Sequence, residues 1–540
     1  MTSDQLLDLS VSLELRRHAD RMQSSEKHLR HLIAAPDRLE RYSQQAAGLL
    51  FDYSRQRLDE DAFDLLMELA AESGAQARIK QMHAGQVVNV TEGRAALHTL
   101  ARSVDETAVI VDGVDANAEL RRVREEIETF TAKVHGGAVI GSNDKAFRHV
   151  VVVGIGGSYL GTEFVATALA AFADKGIRLH FLANVDIHNF GAISQKIDLE
   201  ATLWVVISKS YTTAETLANE TQARTLMEKV GLDPARHLIT VTAKGSPGDD
   251  PAAANLQSFH MFDFIGGRYS VTSAVGGVPL SLFLGFERFD RFLKGAAEMD
   301  AHTLTAPADK NLPLLAALIS VWNSSFLGYA HQGIIPYAQP LAKLAPHIQQ
   351  LNMESNGKSV TAAGTPLKIP AGIIVFGEPG TNAQHSFFQL AHQGRPFPID
   401  FIGVLNPQYP GYDTLSKGVT NHQELWANLL AQANALALGK ETAATERAFS
   451  GNRPSSTLVL DSLEPEDVGR LLAFYEARTV YEAFIWGINP FDQFGVELGK
   501  VMAGDIRAEM AARNQDGGHR FDSCDPITRF YLEKLFQGHL

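Results

Sequence analysis

Ser208-Lys209-Ser210-Tyr211-Thr212-Thr213-Ala214-Glu215-Thr216 places five hydroxyl side chains, besides the tyrosine, and one ammonium within nine residues, directly after an apolar run. Such a set can saturate the oxygens of a phosphate dianion. Hydroxyls and the exposed N–H groups of a helix N-terminus donate, while Lys209 adds charge without demanding one rigid geometry. Helix capping by Thr212 or Thr213, with Glu215 or Thr216 in the first turn, explains the type of residue but not the number. A second candidate, Gly154-Ile155-Gly156-Gly157-Ser158-Tyr159-Leu160-Gly161, follows the run Val150 to Val153 and lets a ligand approach the backbone closely. The third glycine of a dinucleotide fingerprint falls on Tyr159, and Ser158 instead offers a hydroxyl to a sugar or phosphate oxygen. Asn356-Gly357-Lys358-Ser359 ends like a nucleotide phosphate loop, but Asn352 stands where the first glycine of that loop is required.

Three further segments set an ionisable residue among turn formers and amides. They are Gly266-Gly267-Arg268-Tyr269-Ser270, Gln350-Leu351-Asn352-Met353-Glu354-Ser355-Asn356-Gly357-Lys358, and Gly377-Glu378-Pro379-Gly380-Thr381-Asn382-Ala383-Gln384-His385-Ser386. Singly, Glu354 reads as a solvated or ion-paired carboxylate, His385 as a hydrogen-bonded structural histidine and Arg268 as a surface cation. No H-E-x-x-H cluster occurs. His28 and His31, three apart on a charged helix without a third ligand, read as a solvated face rather than a metal site.

These loops need a scaffold that brings them to one edge. The first hundred residues are expected to be helical, with Leu29, Leu32 and Ile33 spaced among charges. Short β-branched runs then occur at Val150 to Val153, Leu179 to Leu182, Leu203 to Ile207 and Leu238 to Val241, separated by enough chain for crossover helices. After a mainly helical interval from Leu280 to Gly328 the alternation returns at Ile334 to Tyr337, Ile373 to Phe376, Phe401 to Leu405 and Leu458 to Leu460. The expectation is an α/β chain with two mainly parallel sheets, whose ligands lie at the carboxyl ends of the strands. Its division is into a helical N-terminal segment over 1–115 packing on the larger domain, a smaller α/β domain over 116–285, a larger one over 286–505 and a tail over 506–540.

Composition narrows the partners. With 540 residues, 45% hydrophobic, there is too much chain for one ordinary core. A formal net charge of -14 and the lack of a Lys/Arg run argue against nucleic acid and anionic membranes, though not against a small anionic substrate held by a few focused cations. One cysteine, Cys524, excludes an intrachain disulfide and fits a reducing cytoplasm. Asp4, Asp8, Glu14, Asp20 and Glu26 interrupt the N-terminal apolar residues, unlike a secretory signal, and no run reaches the roughly 18 apolar residues of a membrane span.

In their order these segments, with Asn89-Val90-Thr91-Glu92-Gly93-Arg94-Ala95-Ala96-Leu97-His98 before them and Asp492-Gln493-Phe494-Gly495-Val496-Glu497-Leu498-Gly499-Lys500 after, resemble the signature blocks of the phosphoglucose isomerase family. The departures are Tyr159 for a frequent aspartate, Ser210 for threonine, Phe376 and Phe494 for tryptophan, and Ala383 for glycine. None removes an ionisable group. The resemblance implies two three-layer αβα domains of the sugar isomerase fold and reversible isomerisation of glucose 6-phosphate and fructose 6-phosphate through an enediol. It implies Glu354 as the base, Arg268 near the developing oxyanion, and His385 and Lys500 in ring opening. It also implies substrate and phosphate contacts from Gly157, Ser158, Ser208, Lys209, Ser210, Thr213, Gln350 and Gln493, with no cofactor and no metal. A homodimer in which His385 serves the other subunit's site follows from the same resemblance. Activity on mannose 6-phosphate as well, and a non-catalytic phosphosugar sensor, are the alternatives. A sensor needs the hydroxyl cradle but no base, acid pair or oxyanion cation.

Overall fold

Runs of Val, Ile and Leu become strands because branched side chains pack well on a pleated surface, and two sheets result. The computed structural model describes residues 5–540; Asp4, one of the N-terminal charges, lies outside them. Through Phe491 the chain forms one unit that holds both sheets.

The five-stranded sheet runs Gln257–Met261, Leu238–Ala243, Thr202–Ile207, His149–Val153, Arg178–Leu182, all parallel. Two of its three inner strands, His149–Val153 and Thr202–Ile207, are buried at every residue, as expected of strands covered on both faces. Helices Ala116–His135 and Ala274–Leu284 cover one face, through Val123, Ile127, Phe130 and Val275. Helices Ile187–Ser194 and Ala214–Lys229 cover the other, through Phe190, Ile193, Ala223 and Met227.

The six-stranded sheet is ordered Ser43–Ala46, Leu49–Asp52, Ser455–Leu460, Ile399–Val404, His331–Pro336, Ile374–Phe376. Its last four strands are parallel, and helices Phe388–Gln393 and Asn421–Leu438 pack on one face. Helices Leu312–Val321, Leu344–Asn356 and Pro465–Trp486 share the opposite core with Ile334, Ile402 and Leu458. Both sheets are thus the middle of an αβα sandwich.

One expectation is corrected. The N-terminal hundred residues do hold helices Val11–Arg21, Glu60–Ser73 and Ala75–His83, yet Ser43–Ala46 and Leu49–Asp52 form a hairpin that pairs antiparallel with Ser455–Leu460. Ala47 and Gly48, at φ 45° and 71°, make the two-residue turn. Four residues per strand are too few for periodicity to separate strand from helix. The edge strand Gln257–Met261 escaped notice for another reason: its polar residues interrupt any apolar run.

From Asp492 the chain forms a second unit. Its helices Glu497–Gln515 and Pro526–Gln537 enclose a small core around Phe521 and Leu532, and no residue of Glu497–Gln515 is buried. No described helix is long and apolar enough to cross a membrane.

Candidate active site

Two strand ends of the five-stranded sheet open the site. Ser208 follows the buried strand Thr202–Ile207, and its N–H still donates to Val241 O at 3.1 Å, so the sheet holds the first hydroxyl in place. Tyr211 then turns the chain at φ 53°, its hydroxyl donating to Glu220 at 2.6 Å. Thr213 stands before helix Ala214–Lys229, but its side chain makes no capping bond; its hydroxyl meets Ser208 Oγ at 3.5 Å. Ser210 and Thr212 share a 2.6 Å bond. The hydroxyls therefore face one another rather than the helix. Lys209 Nζ lies 2.9 Å from Asp263 Oδ1 and also donates to the Asp263 carbonyl at 3.3 Å. That ammonium holds the Asp263 carboxyl below its usual range.

The neighbouring strand His149–Val153 delivers the glycine turn. A Cβ on Gly157 would lie 2.3 Å from the Gly267 carbonyl carbon and 2.7 Å from Arg268 N, so only glycine lets the two backbones touch. Ser158 is half-buried in the 3-10 turn Gly156–Ser158. A Cβ on Gly156 would sit 3.1 Å from Gln350 Nε2, which places Gln350 beside the turn, and Gln350 Oε1 is buried without a partner. Tyr159 turns its ring toward Phe181, centroids 6.3 Å apart, and burial pushes its phenol up.

Contact with Gly157 locates Arg268. Its side chain is 2% exposed, and Nη1 lies 3.5 Å from Glu354 Oε2, whose side chain is 23% exposed. Nε donates to Ser355 Oγ at 2.7 Å and Nη2 to the Pro490 carbonyl. Ser355 also shares a 2.9 Å bond with Tyr269, whose phenol burial pushes up to about 12. Arg268 is thus a buried, oriented cation rather than the surface one its isolated type suggests. Glu354 sits near the end of helix Leu344–Asn356, which buries Leu344, Ile348, Leu351 and Ser355 at helical spacing. A half-buried carboxylate beside a fixed guanidinium can take a proton while developing oxyanion charge is steadied.

The remaining predicted residues belong to other segments. His385 is exposed in the 3-10 turn Asn382–His385, and among the described residues no hydrogen bond or ion pair joins it to Glu354 or Arg268. Gln493 and Lys500 belong to the second unit, Lys500 exposed on helix Glu497–Gln515. The other departures are accommodated simply: Phe376 packs edge-on to Phe387 and Phe397, and Ala383 is fully buried. His28 uses both ring nitrogens on backbone, at Ser450 O and Arg30 N.

Ser355, Tyr269 and Asp263 were missed as partners, and no local signal marks them. The Asn89 to His98 block acts as a brace. Asn489 Nδ2 donates to Asn89 and Thr91 at 2.8 and 2.6 Å, Arg94 lies 3.8 Å from Asp263, and His98 packs 4.6 Å from the Tyr269 ring.

Known proteins resemble this chain along nearly its whole length. Residues 52–526 match the phosphoglucose isomerase family, a span that contains every site segment named above. A glucose-6-phosphate isomerase of Desulfosudis oleivorans is 63% identical over 539 residues, 99% of each chain. The cytosolic glucose-6-phosphate isomerase of Arabidopsis thaliana is 42% identical over 98% of each. The crystal structure of a glucose-6-phosphate isomerase from Chlamydia trachomatis superposes with a TM-score of 0.89 at 36% identity, covering 99% of this chain and 100% of that one. With fold, ordered site segments and nearly full-length identity in agreement, the chain belongs to the phosphoglucose isomerase family.

Proposed function

We propose a division of labour for the reversible isomerisation of glucose 6-phosphate and fructose 6-phosphate, the step of glycolysis and gluconeogenesis that this chain catalyses. The Arg268–Glu354 pair at 3.5 Å, built against the glycine turn, carries the assignment. Glu354 takes the C2 proton of the open sugar. The C–H electron pair forms the C1–C2 double bond, and the carbonyl pair moves onto O1, where Arg268 offsets the charge. A proton moves from O2 to O1, the C2 carbonyl forms, and Glu354 returns its proton to C1.

Ser208, Lys209, Ser210 and Thr213 bind the phosphate, and Gly157, Ser158, Gln350 and Gln493 line the sugar. Charge-assisted bonds worth roughly 1.5–3 kcal/mol each exceed what a millimolar to micromolar substrate requires, about 4–8 kcal/mol in total. His385 and Lys500 move the ring-opening protons, since imidazole exchanges a proton near neutral pH and an ammonium can hold a hydroxyl. The exposure of His385 supports its serving the other subunit of a homodimer. Leu498, Val501 and Met502, exposed on a helix that buries nothing, support such an assembly. The scheme needs neither metal nor cofactor, and the cytosolic names of plant relatives support a cytoplasmic enzyme.

A coupled assay on glucose 6-phosphate and mannose 6-phosphate, each with and without a chelator, tests the scheme. Turnover of glucose 6-phosphate alone, unchanged by chelator, is expected. Chelator-sensitive turnover overturns the metal-free scheme, and comparable rates on both sugars show dual specificity.

A further inference from the structure

Helix Leu344–Asn356 is gripped from behind. Asn352 and Asn356 stand two residues either side of Glu354, about 200° around the helix, so they mark the face opposite the base. Both amides donate to one oxygen of Glu482, Asn352 Nδ2 at 2.6 Å and Asn356 Nδ2 at 2.9 Å. Glu482 is 0% exposed and lies in helix Pro465–Trp486. Its other oxygen accepts from Arg478 Nε at 2.9 Å. Arg478 in turn donates to Asp400 and Gln332, both at 2.6 Å, in two central strands of the six-stranded sheet.

The amide oxygens of Asn352 and Asn356 are buried without partners. Leaving two acceptors unsatisfied costs free energy, so both amides keep this orientation because their NH₂ groups are drawn to the Glu482 carboxylate, the Asn356 amide also donating to the Thr479 carbonyl at 3.3 Å. A glutamine in place of Glu482 could turn its carbonyl to both amides only by setting its NH₂ against the Arg478 Nε–H, so it cannot serve all three donors.

From this geometry we infer that Glu482 is a positioning residue for the isomerisation: its carboxylate fixes the rotation of helix Leu344–Asn356 and so aims Glu354 at the substrate carbons. The inference rests on Glu354 being the base. Rotating a helix by about 20° moves a carboxylate at about 6 Å from the axis by about 2 Å. Misplacement of about 1 Å can cost roughly a hundredfold in rate. The buried ion pairs also stabilise the fold, but a purely structural role has no reason to alter where an abstracted proton goes.

The test compares Glu482→Gln, Asn352→Ala and Glu354→Gln in the full-length enzyme, with folded fraction measured for each. Glu482→Gln is expected to lower kcat about 10- to 100-fold with KM within about twofold, and Asn352→Ala about 3- to 10-fold. With glucose 6-phosphate deuterated at C2, both are expected to reduce the deuterium recovered at C1 relative to that lost to solvent, because a misaimed base holds the label longer. Unchanged kcat and unchanged label transfer in both variants overturn the positioning role. So do rate losses that vanish once rates are divided by folded fraction. Near-normal turnover in Glu354→Gln instead removes the base itself, which separates that failure from the failure of Glu482.

Discussion

The hydroxyl cradle and the Glu354 centre are built on opposite principles. In the cradle, hydroxyls pair within five residues of one another, Ser208 with Thr213 and Ser210 with Thr212, and one distant group, Asp263, steadies Lys209. At the Glu354 centre almost every contact is distant in sequence: Gly157 against Gly267, Arg268 against Ser355 and Pro490, Asn352 against Glu482. Anchoring tolerates local, half-exposed structure because a phosphate accepts many donor arrangements. Proton transfer between adjacent carbons requires a base and a cation held to a fraction of an ångström, which only packed, long-range contacts supply.

Four substitutions break or sharpen that contrast. Glu354→Gln should lower kcat about a hundredfold or more while fructose 6-phosphate still binds, as read by steady-state kinetics and calorimetric binding. Normal turnover would leave the distant-contact centre without a chemical role. Gly157→Ala forces a methyl into the Gly267 carbonyl and should lose about tenfold or more in kcat/KM, together with about 1–3 kcal/mol of stability by denaturant unfolding. Because this glycine joins the two regions, both KM and kcat are expected to change.

Lys209→Ala should raise KM about tenfold with kcat nearly kept, since phosphate contacts act in ground and transition states alike. The Lys209 side chain is 32% exposed, which places the effect at the low end of a charge-assisted bond. An unchanged KM would remove the ammonium from the cradle.

The smallest effect is a pH dependence. His347, on the helix of Glu354, is fully buried against Phe164, neither ring nitrogen has a partner, and burial holds it down to about 4. An unfolded histidine titrates near about 6.5, so the unfolded chain binds the extra proton first as pH falls. Above about pH 6.5 both states are neutral and no proton-linked loss arises; stability is lost progressively from there down to about 4, by up to about 3 kcal/mol. His347→Phe should flatten that part of the curve of Tm against pH; an equally steep acid loss would place the proton elsewhere.

How much was legible follows the same division. Strand runs from Val150 to Val241 and from Ile334 to Leu460 were readable because buried parallel strands are near-continuous β-branched sequence. The hairpin Ser43–Asp52 was not, because its strand nature depends on Ser455–Leu460, some four hundred residues later. The cradle hydroxyls declared themselves by density. Arg268 and Glu354 were identified by resemblance, and nothing near Arg268 in the chain foretold a buried guanidinium.

By itself, then, the sequence determined the αβα class, the density of hydroxyls at residues 208–213 that the phosphate proposal rests on, and the ordered segments of the family. These depend on residue type and short spacing, which local chemistry dictates. Only the tertiary structure decided that Gly157 touches Gly267, that Arg268 is buried against Glu354 and that Glu482 accepts from both asparagines on the far side of Glu354's helix. The physical reason is that a base is aimed by what packs around its helix, and packing partners far along the chain leave no pattern in the residues beside it.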